Sequence, residues 1–130
     1  CLGMQLLGEF SEENNTKCLG LLPFTTRRFA SDDALKVPHM GWNNISGLSS
    51  PLFAGVPEES RVYFVHSFYV PKSEFTTATT GYGLELSAAV ADGNFHAVQF
   101  HPEKSQRVGL KVLENFRRIA ESHLSALTTQ

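Results

Sequence analysis

Two short stretches of this sequence hold residue types that together can do acyl chemistry. Cys1 stands at the head of Leu2-Gly3-Met4-Gln5-Leu6-Leu7, whose apolar residues keep helical spacing up to Gly8. A cysteine at a helix amino end meets exposed N–H groups and a favourable dipole, the setting that makes a thiol nucleophilic. On its own, such a cysteine is more often a small buried packing residue. Nucleophilic chemistry also needs a base, and Gln99-Phe100-His101-Pro102-Glu103-Lys104-Ser105 supplies a candidate. Pro102 biases His101 towards an extended conformation, and alternation along an extended segment would send His101 and Glu103 to the same side. Glu103 could then orient the imidazole, leaving its other nitrogen for Cys1. Alone, His-Pro-Glu reads as a strand-ending surface turn. With Cys1 it becomes the second and third parts of a nucleophile, base and orienting-acid set.

The remaining residues have to build elements that bring position 1 to position 101. The chain of 130 residues and 14.4 kDa fits one domain or part of one, and folding such a chain hides roughly two-thirds of its surface. With 42% apolar and 18% charged residues it has ordinary globular composition, which argues against disorder, collagen and coiled coil. Eleven Lys and Arg against 13 Asp and Glu create no field for gathering nucleic acid or anionic lipid. Unbroken apolar stretches such as Val62 to Val65 fall far short of the roughly 20 residues a membrane span requires. Cys1 and Cys18 cannot form a disulfide framework and no secretory leader precedes them, so a reducing cytoplasm is expected. The opening on Cys1 without an initiator Met reads as the middle of a domain.

Glu9 to Lys17 is polar and reads as surface. Leu19 to Phe24 and Phe29 to Val37 read as short strands or loops around Arg27-Arg28. Pro38-His39-Met40-Gly41-Trp42-Asn43 has the punctuation of a shaped loop, and Ser49 to Ser60 that of a surface connection. Arg61 to Val70 is apolar on both alternating faces and predicts a central strand buried between two layers. Phe75 to Thr80 and Glu85 to Ala91 predict further strands, and Asp92-Gly93-Asn94 turns the chain into Phe95 to Phe100 as a hairpin. Ser105 is placed to cap a terminal helix carrying Val108, Val112, Leu113, Phe116, Ile119, Ala120, Leu124 and Leu127 at near 3.6-residue spacing.

Cys1 to Leu7 resembles the second half of a nucleophile elbow, Gly-x-Cys-x-Gly followed by a helix, and Phe100-His101-Pro102-Glu103 resembles a His-x-Glu pair. On these motifs the chain is similar to the triad-type (class I) glutamine amidotransferases. Pro38 to Asn43, Tyr63-Phe64-Val65-His66-Ser67 and Lys104-Ser105 are similar to the glutaminase subunits of imidazole glycerol phosphate synthases in particular. The resemblance covers nearly the whole chain. It implies glutamine hydrolysis through a glutamyl thioester on Cys1, with His101 as proton shuttle and Glu103 orienting it. Gly3 and Gln5 would shape the glutamine site. The backbone around Ser67 and Phe68 would hold the amino acid end, and the Leu2 N–H would serve the oxyanion hole. Ammonia would pass to a heterodimer partner, a separate (βα)8-barrel cyclase subunit, for imidazole glycerol phosphate synthesis in the histidine pathway. Trp42, Tyr63, His66 and Lys104 would sit at the cyclase-facing surface. From sequence alone Trp42 and Tyr63 read equally well as core aromatics, and His66 as a hydrogen-bonded core histidine.

The implied fold is a three-layer, flavodoxin-like α/β domain. This chain would be a carboxy-terminal piece without the first strands, ending in a mixed sheet, a β-hairpin and the last helix. A piece missing central strands exposes sheet edges and apolar surface, conditions for aggregation, for binding a complementary segment or for loss of activity. Phe68 stands where the family often has a Tyr. Three rivals remain open. One is the amidotransferase class whose terminal cysteine uses its own α-amine as base, another is a non-catalytic docking protein, and the third is a glutaminase serving sugar-modifying synthetases for surface polysaccharides. His39, His66, His96, His101 and His123 lack metal-ligand spacing, and no Walker-type loop occurs, so neither metal nor nucleotide cofactor is expected.

Overall fold

A computed structural model describes residues 1–30 and 35–128. After Cys1 comes helix α1 (Leu2–Leu6), then β1 (Phe10–Ser11), a 3-10 turn (Glu13–Asn15), β2 (Thr16–Lys17) and β3 (Thr25–Arg28). Next are β4 (His39–Asn44), a 3-10 turn (Pro51–Phe53), β5 (Arg61–His66) and β6 (Phe68–Tyr69). The meander β7 (Thr76–Gly81), β8 (Glu85–Asp92) and β9 (Phe95–Val98) leads through a third 3-10 turn (Pro102–Lys104) to α2 (Gln106–Thr128).

The strands form a sheet of order β2-β1-β3-β6, in which β1 and β3 run parallel, the antiparallel pair β4-β5, and the antiparallel meander β7-β8-β9. A bridge between Ser46 and Thr79 ties the second group to the third. The larger core lies between these strands and α2, around Phe64, Phe100, Ile45, Phe53 and Val112. A smaller one, Met4, Leu22, Phe24, Val70 and Val90, anchors α1. The predicted hairpin closes at the Asp92–Phe95 pair.

Four expectations need correction. Residues 38–43 are not a loop: His39 to Asn44 pairs along its length with β5, from His39 opposite His66 to Asn44 opposite Arg61. Its more enclosed positions are taken by His39, Gly41 and Asn43, so the alternation is present without a hydrophobic signal. Arg61 to Val70 is not one doubly buried strand. It breaks at Ser67, and within β5 burial alternates, with Val62, Phe64 and His66 on the enclosed face; the edge away from β4 bonds to the His101–Ser105 segment. Arg27 and Arg28 lie inside β3 rather than between strands, while part of the Phe29 to Val37 expectation lies outside the described residues. On α2, Val112, Val108 and Ile119 pack inward as expected. Leu113, Phe116, Ala120, Leu124 and Leu127 are exposed instead, and Gly109 and Asn115 take buried places. Asn115 is held there by donating to the carbonyls of Leu52 and Ala54, both at 2.9 Å, which satisfies its buried amide.

Candidate active site

Cys1 is the residue before the first turn of α1, and its nitrogen donates to the Val98 carbonyl at 2.9 Å, which seats the helix start at the end of β9. Two residues from that anchor the sequence reaches Phe100, buried in the larger core, and then His101. Cys1 Sγ accepts from Gln99 Nε2 at 3.2 Å and makes a long 3.8 Å contact to the Val65 carbonyl. Its hydrogen bonds go to these two residues and not to His101.

Gln99 is fully buried, and nothing in its sequence surroundings marks it for the site. Its Oε1 accepts from Gln5 Nε2 at 3.0 Å, and the same Gln5 nitrogen donates to the Phe68 carbonyl at 3.0 Å. Gln5 thus spans from the strand beneath the cysteine to the backbone after Ser67. This chain of donors fixes the Gln99 amide with its N–H towards the sulfur, since its oxygen is occupied by Gln5.

His101 Nδ1 and Glu103 Oε1 are 2.8 Å apart, so the predicted pair is formed. The geometry differs from the alternation argument: His101 is extended, but Glu103 lies in the 3-10 turn that Pro102 starts. Glu103 is held below the usual carboxylate range first by its own backbone N–H and then by the His101 ring, so it is an acceptor at neutral pH. With Nδ1–H given to the carboxylate, Nε2 has no hydrogen-bond partner among the described residues. The His101 N–H donates to the Tyr63 carbonyl at 2.9 Å. Ser105, expected as a helix cap, instead bridges these elements. Its buried hydroxyl accepts from the Tyr63 N–H at 3.0 Å and donates to the His101 carbonyl at 2.6 Å. The bridge satisfies the β5 edge and clamps the histidine.

A cleft of about 250 Å³ opens beside Cys1, walled by Leu2, Gln5, Glu13, His66, Ser67 and Phe68. Gly3 lies on the exposed side of α1 and does not wall it. Glu13, part of a stretch that reads in sequence as plain surface, lines the cleft as well. A larger cleft of about 560 Å³ lies elsewhere, lined by Trp42, Arg61, Ser105, Gln106, Arg107 and Val108. Beside it the Trp42 and Tyr63 rings meet edge to face at 5.9 Å, and Lys104 Nζ stands 5.7 Å from the Tyr63 ring centre. Trp42 is 40% exposed and Tyr63 partly so, so neither is a core aromatic. His66 departs from the surface place expected for it: it is 5% exposed and lines the cleft beside Cys1.

His39 and His66 form a buried pair, Nδ1 to Nε2 at 2.9 Å, and burial pushes both rings down to about 4. Unfolded imidazoles take up protons below about pH 6.5 whereas these stay neutral, so the unfolded state binds more protons between those values. Stability is therefore complete above pH 6.5 and falls as pH drops towards 4. The loss expected at pH 5 is on the order of 2 kcal/mol per ring, measurable by denaturant titration at pH 7.5 and 5. A midpoint that does not move between them would contradict it.

The sequence profile of Glutamine amidotransferase class-I matches residues 1–119. The chain belongs to that family. Among class-I amidotransferases it is 55% identical over 117 residues to the imidazole glycerol phosphate synthase subunit HisH of Bacteroides fragilis, covering 89% of this chain and 60% of the relative. It is 51% identical over 129 residues to HisH of Methylococcus capsulatus, covering 91% and 59%. The HisH of Shewanella sediminis is 47% identical over 131 positions, covering 97% and 60%. The chain thus spans about 60% of the length of these curated relatives. The fold is similar to the crystal structure of a Thermoplasma acidophilum protein described as a GMP synthase subunit. The TM-score is 0.65 at 20% identity, covering 81% of this chain and 52% of that one. The class-I fold is therefore present in part, as a mixed sheet with antiparallel hairpins and a carboxy-terminal helix. Among the described residues no group of three or more His, Cys, Asp or Glu could hold a metal, and no helix is long and apolar enough to cross a membrane.

Proposed function

We propose that this chain carries the catalytic cysteine, histidine and glutamate of a glutaminase that releases ammonia from L-glutamine for imidazole glycerol phosphate synthesis. The observation that carries the reading is the course of Val98 to Glu103: it binds the Cys1 backbone at one end, aims Gln99 at the sulfur, and ends in a His101–Glu103 pair with Nε2 free.

The chemistry follows from these positions. Cys1 attacks the side-chain carboxamide carbon of glutamine while the sulfur loses its proton to His101 Nε2. The helix start and the Gln99 N–H supply positive potential to the sulfur. Among the described residues the Leu2 N–H has no acceptor, which frees it for the oxyanion of the tetrahedral intermediate. His101 then protonates the departing nitrogen, ammonia leaves, and a thioester remains on Cys1. Water attacks the thioester, giving its proton to His101, and glutamate departs with the thiol restored. Glu103 keeps the ring oriented and balances the imidazolium. In the cleft the Glu13 carboxylate is the complement for the substrate's α-ammonium group, and the Ser67–Phe68 backbone offers the hydrogen-bonding wall.

The HisH relatives are imidazole glycerol phosphate synthase subunits, which supports a histidine-pathway assignment and a partner subunit; a (βα)8-barrel cyclase as that heterodimer partner and a cytoplasmic location belong to the same reading. Trp42, Tyr63 and Lys104, with the Arg-lined cleft beside them, form the surface for that partner. The whole 1–130 segment is read as part of a single amidotransferase domain whose complete form is three-layered and flavodoxin-like. The test is glutamate release from L-glutamine by the chain with and without cyclase, together with alkylation of Cys1 by an electrophilic glutamine analogue. Labelling that L-glutamine protects is expected. Labelling indifferent to glutamine would leave only a docking role, and strong turnover by the chain alone would remove the expectation that a partial domain is inactive.

A further inference from the structure

The cleft wall at Phe68 is held by a line of hydrogen bonds that starts on β4 and has the buried His39–His66 bond at its centre. Its polarity follows from the partners along it. Asn43 Oδ1 accepts from the Asn44 N–H at 2.8 Å, so its Nδ2 is the group that faces His39 Nε2 at 3.1 Å, and that nitrogen also donates to the Gly81 carbonyl at 2.9 Å. A donor facing His39 Nε2 makes that atom an acceptor, which puts the ring proton on Nδ1. His39 Nδ1–H therefore donates to His66 Nε2 at 2.9 Å, and His66 must carry its proton on Nδ1, which meets the Phe68 carbonyl at 2.7 Å. Every bond in the line agrees with one arrangement of protons, both rings neutral.

The rings have little freedom to choose another. His39 is stacked between Phe64 at 4.6 Å and Tyr82 at 4.1 Å, and His66 packs against Phe29 at 5.4 Å. The Phe68 carbonyl, in turn, accepts from two donors, from His66 and from Gln5, whose amide continues through Gln99 to Cys1 Sγ. A line of bonds thus runs from β4 to the Ser67–Phe68 wall and the sulfur.

We propose that His39 is a positioning residue for glutamine binding: by donating to His66 Nε2 it fixes the His66 tautomer that holds the Phe68 carbonyl, and with it the Ser67–Phe68 wall of the cleft. His39 does not wall the cleft, so it acts only through His66. The inference rests on the glutaminase reading above and adds to it a residue of β4, an element that carries no member of the triad.

The experiment titrates L-glutamine into the chain carrying Cys1→Ser, which prevents turnover, and into the same chain with His39→Leu or His39→Asn. Leucine keeps much of the volume and removes the donor. Asparagine places an N–H where Nδ1 stood. Loss of the buried bond is expected to weaken glutamine binding about tenfold in His39→Leu, while His39→Asn stays within about threefold. In the parent, 15N spectra should show His66 protonated on Nδ1 and its ring signals moving when glutamine binds. Equal binding by all three chains, or a His66 proton on Nε2, overturns the positioning role while glutamine-protected labelling of Cys1 still upholds the glutaminase. No glutamine binding by the parent together with unprotected Cys1 overturns both. Should His39→Leu unfold, the parent spectra decide, and His66 ring signals indifferent to glutamine overturn the proposal.

Discussion

Replacing His101 by asparagine is expected to lower glutamine hydrolysis by roughly 10² to 10⁴-fold, the range that loss of a general base costs. The substitution is chosen because asparagine keeps an N–H near the Nδ1 position, where it can still meet Glu103 Oε1, now 2.8 Å from the ring. What disappears is Nε2, the only ring nitrogen left free to move a proton between sulfur and leaving group. The Cys1 backbone seat on Val98 and the Gln99 contact to the sulfur do not involve the imidazole, so glutamine-protected labelling should persist at reduced rate. The same experiment decides against the rival in which a terminal cysteine uses its own amine. That nitrogen is engaged with the Val98 carbonyl at 2.9 Å, and a mechanism based on it would leave glutamate release largely intact in His101→Asn.

Gly109→Ala is the second large effect expected, on stability and on the site together. A Cβ at this position of α2 would lie 1.8 Å from the Pro102 carbonyl oxygen, 2.7 Å from its carbon and 3.0 Å from Ser105 Cβ. Two of these atoms are backbone and cannot rotate away. Alanine in a helix interior ordinarily gains about 1 kcal/mol over glycine. Here helix and turn must separate instead, and overpacking of this kind costs on the order of 1–3 kcal/mol or more. The turn that moves is the one bearing Glu103, and Ser105 would lose its double hold on Tyr63 and His101. A fall in the denaturant midpoint accompanied by slower turnover is the expected outcome. A more stable chain with unchanged turnover would mean that the close approach of α2 to Pro102 does not exist in solution.

These two positions differ in how they could be found. His101 and Glu103 are two residues apart and share a local turn, so their pairing could be read from residue types alone. Gly109 in sequence is merely an unfavourable helix residue, since the atom that excludes a side chain belongs to a separate element. Gln99 is similar: its partners Cys1 and Gln5 are 98 and 94 positions away, and no periodicity carries such a relation. Ser105 has the residue type and place of a helix cap, yet its hydroxyl serves an unpaired strand edge because that edge, brought there by packing, has the stronger need for a partner. Strand β4 is hidden in the sequence because His39 and Asn43, polar residues made buriable by mutual hydrogen bonds, occupy its inward side.

By itself the sequence determined the reactive residue types, the short helix behind Cys1, the hairpin closing at Asp92, the long terminal helix and the local His101–Glu103 pair. All of these depend on neighbours within a few positions, where spacing and propensity act. Only the tertiary structure decided that the end of β9 seats Cys1, that Gln99 rather than His101 touches the sulfur, that Glu13 lines the cleft, and that His66 is enclosed rather than displayed. Those outcomes depend on which buried donors find acceptors once distant strands are packed together, and the cost of leaving a buried polar group unpaired applies only after that packing exists.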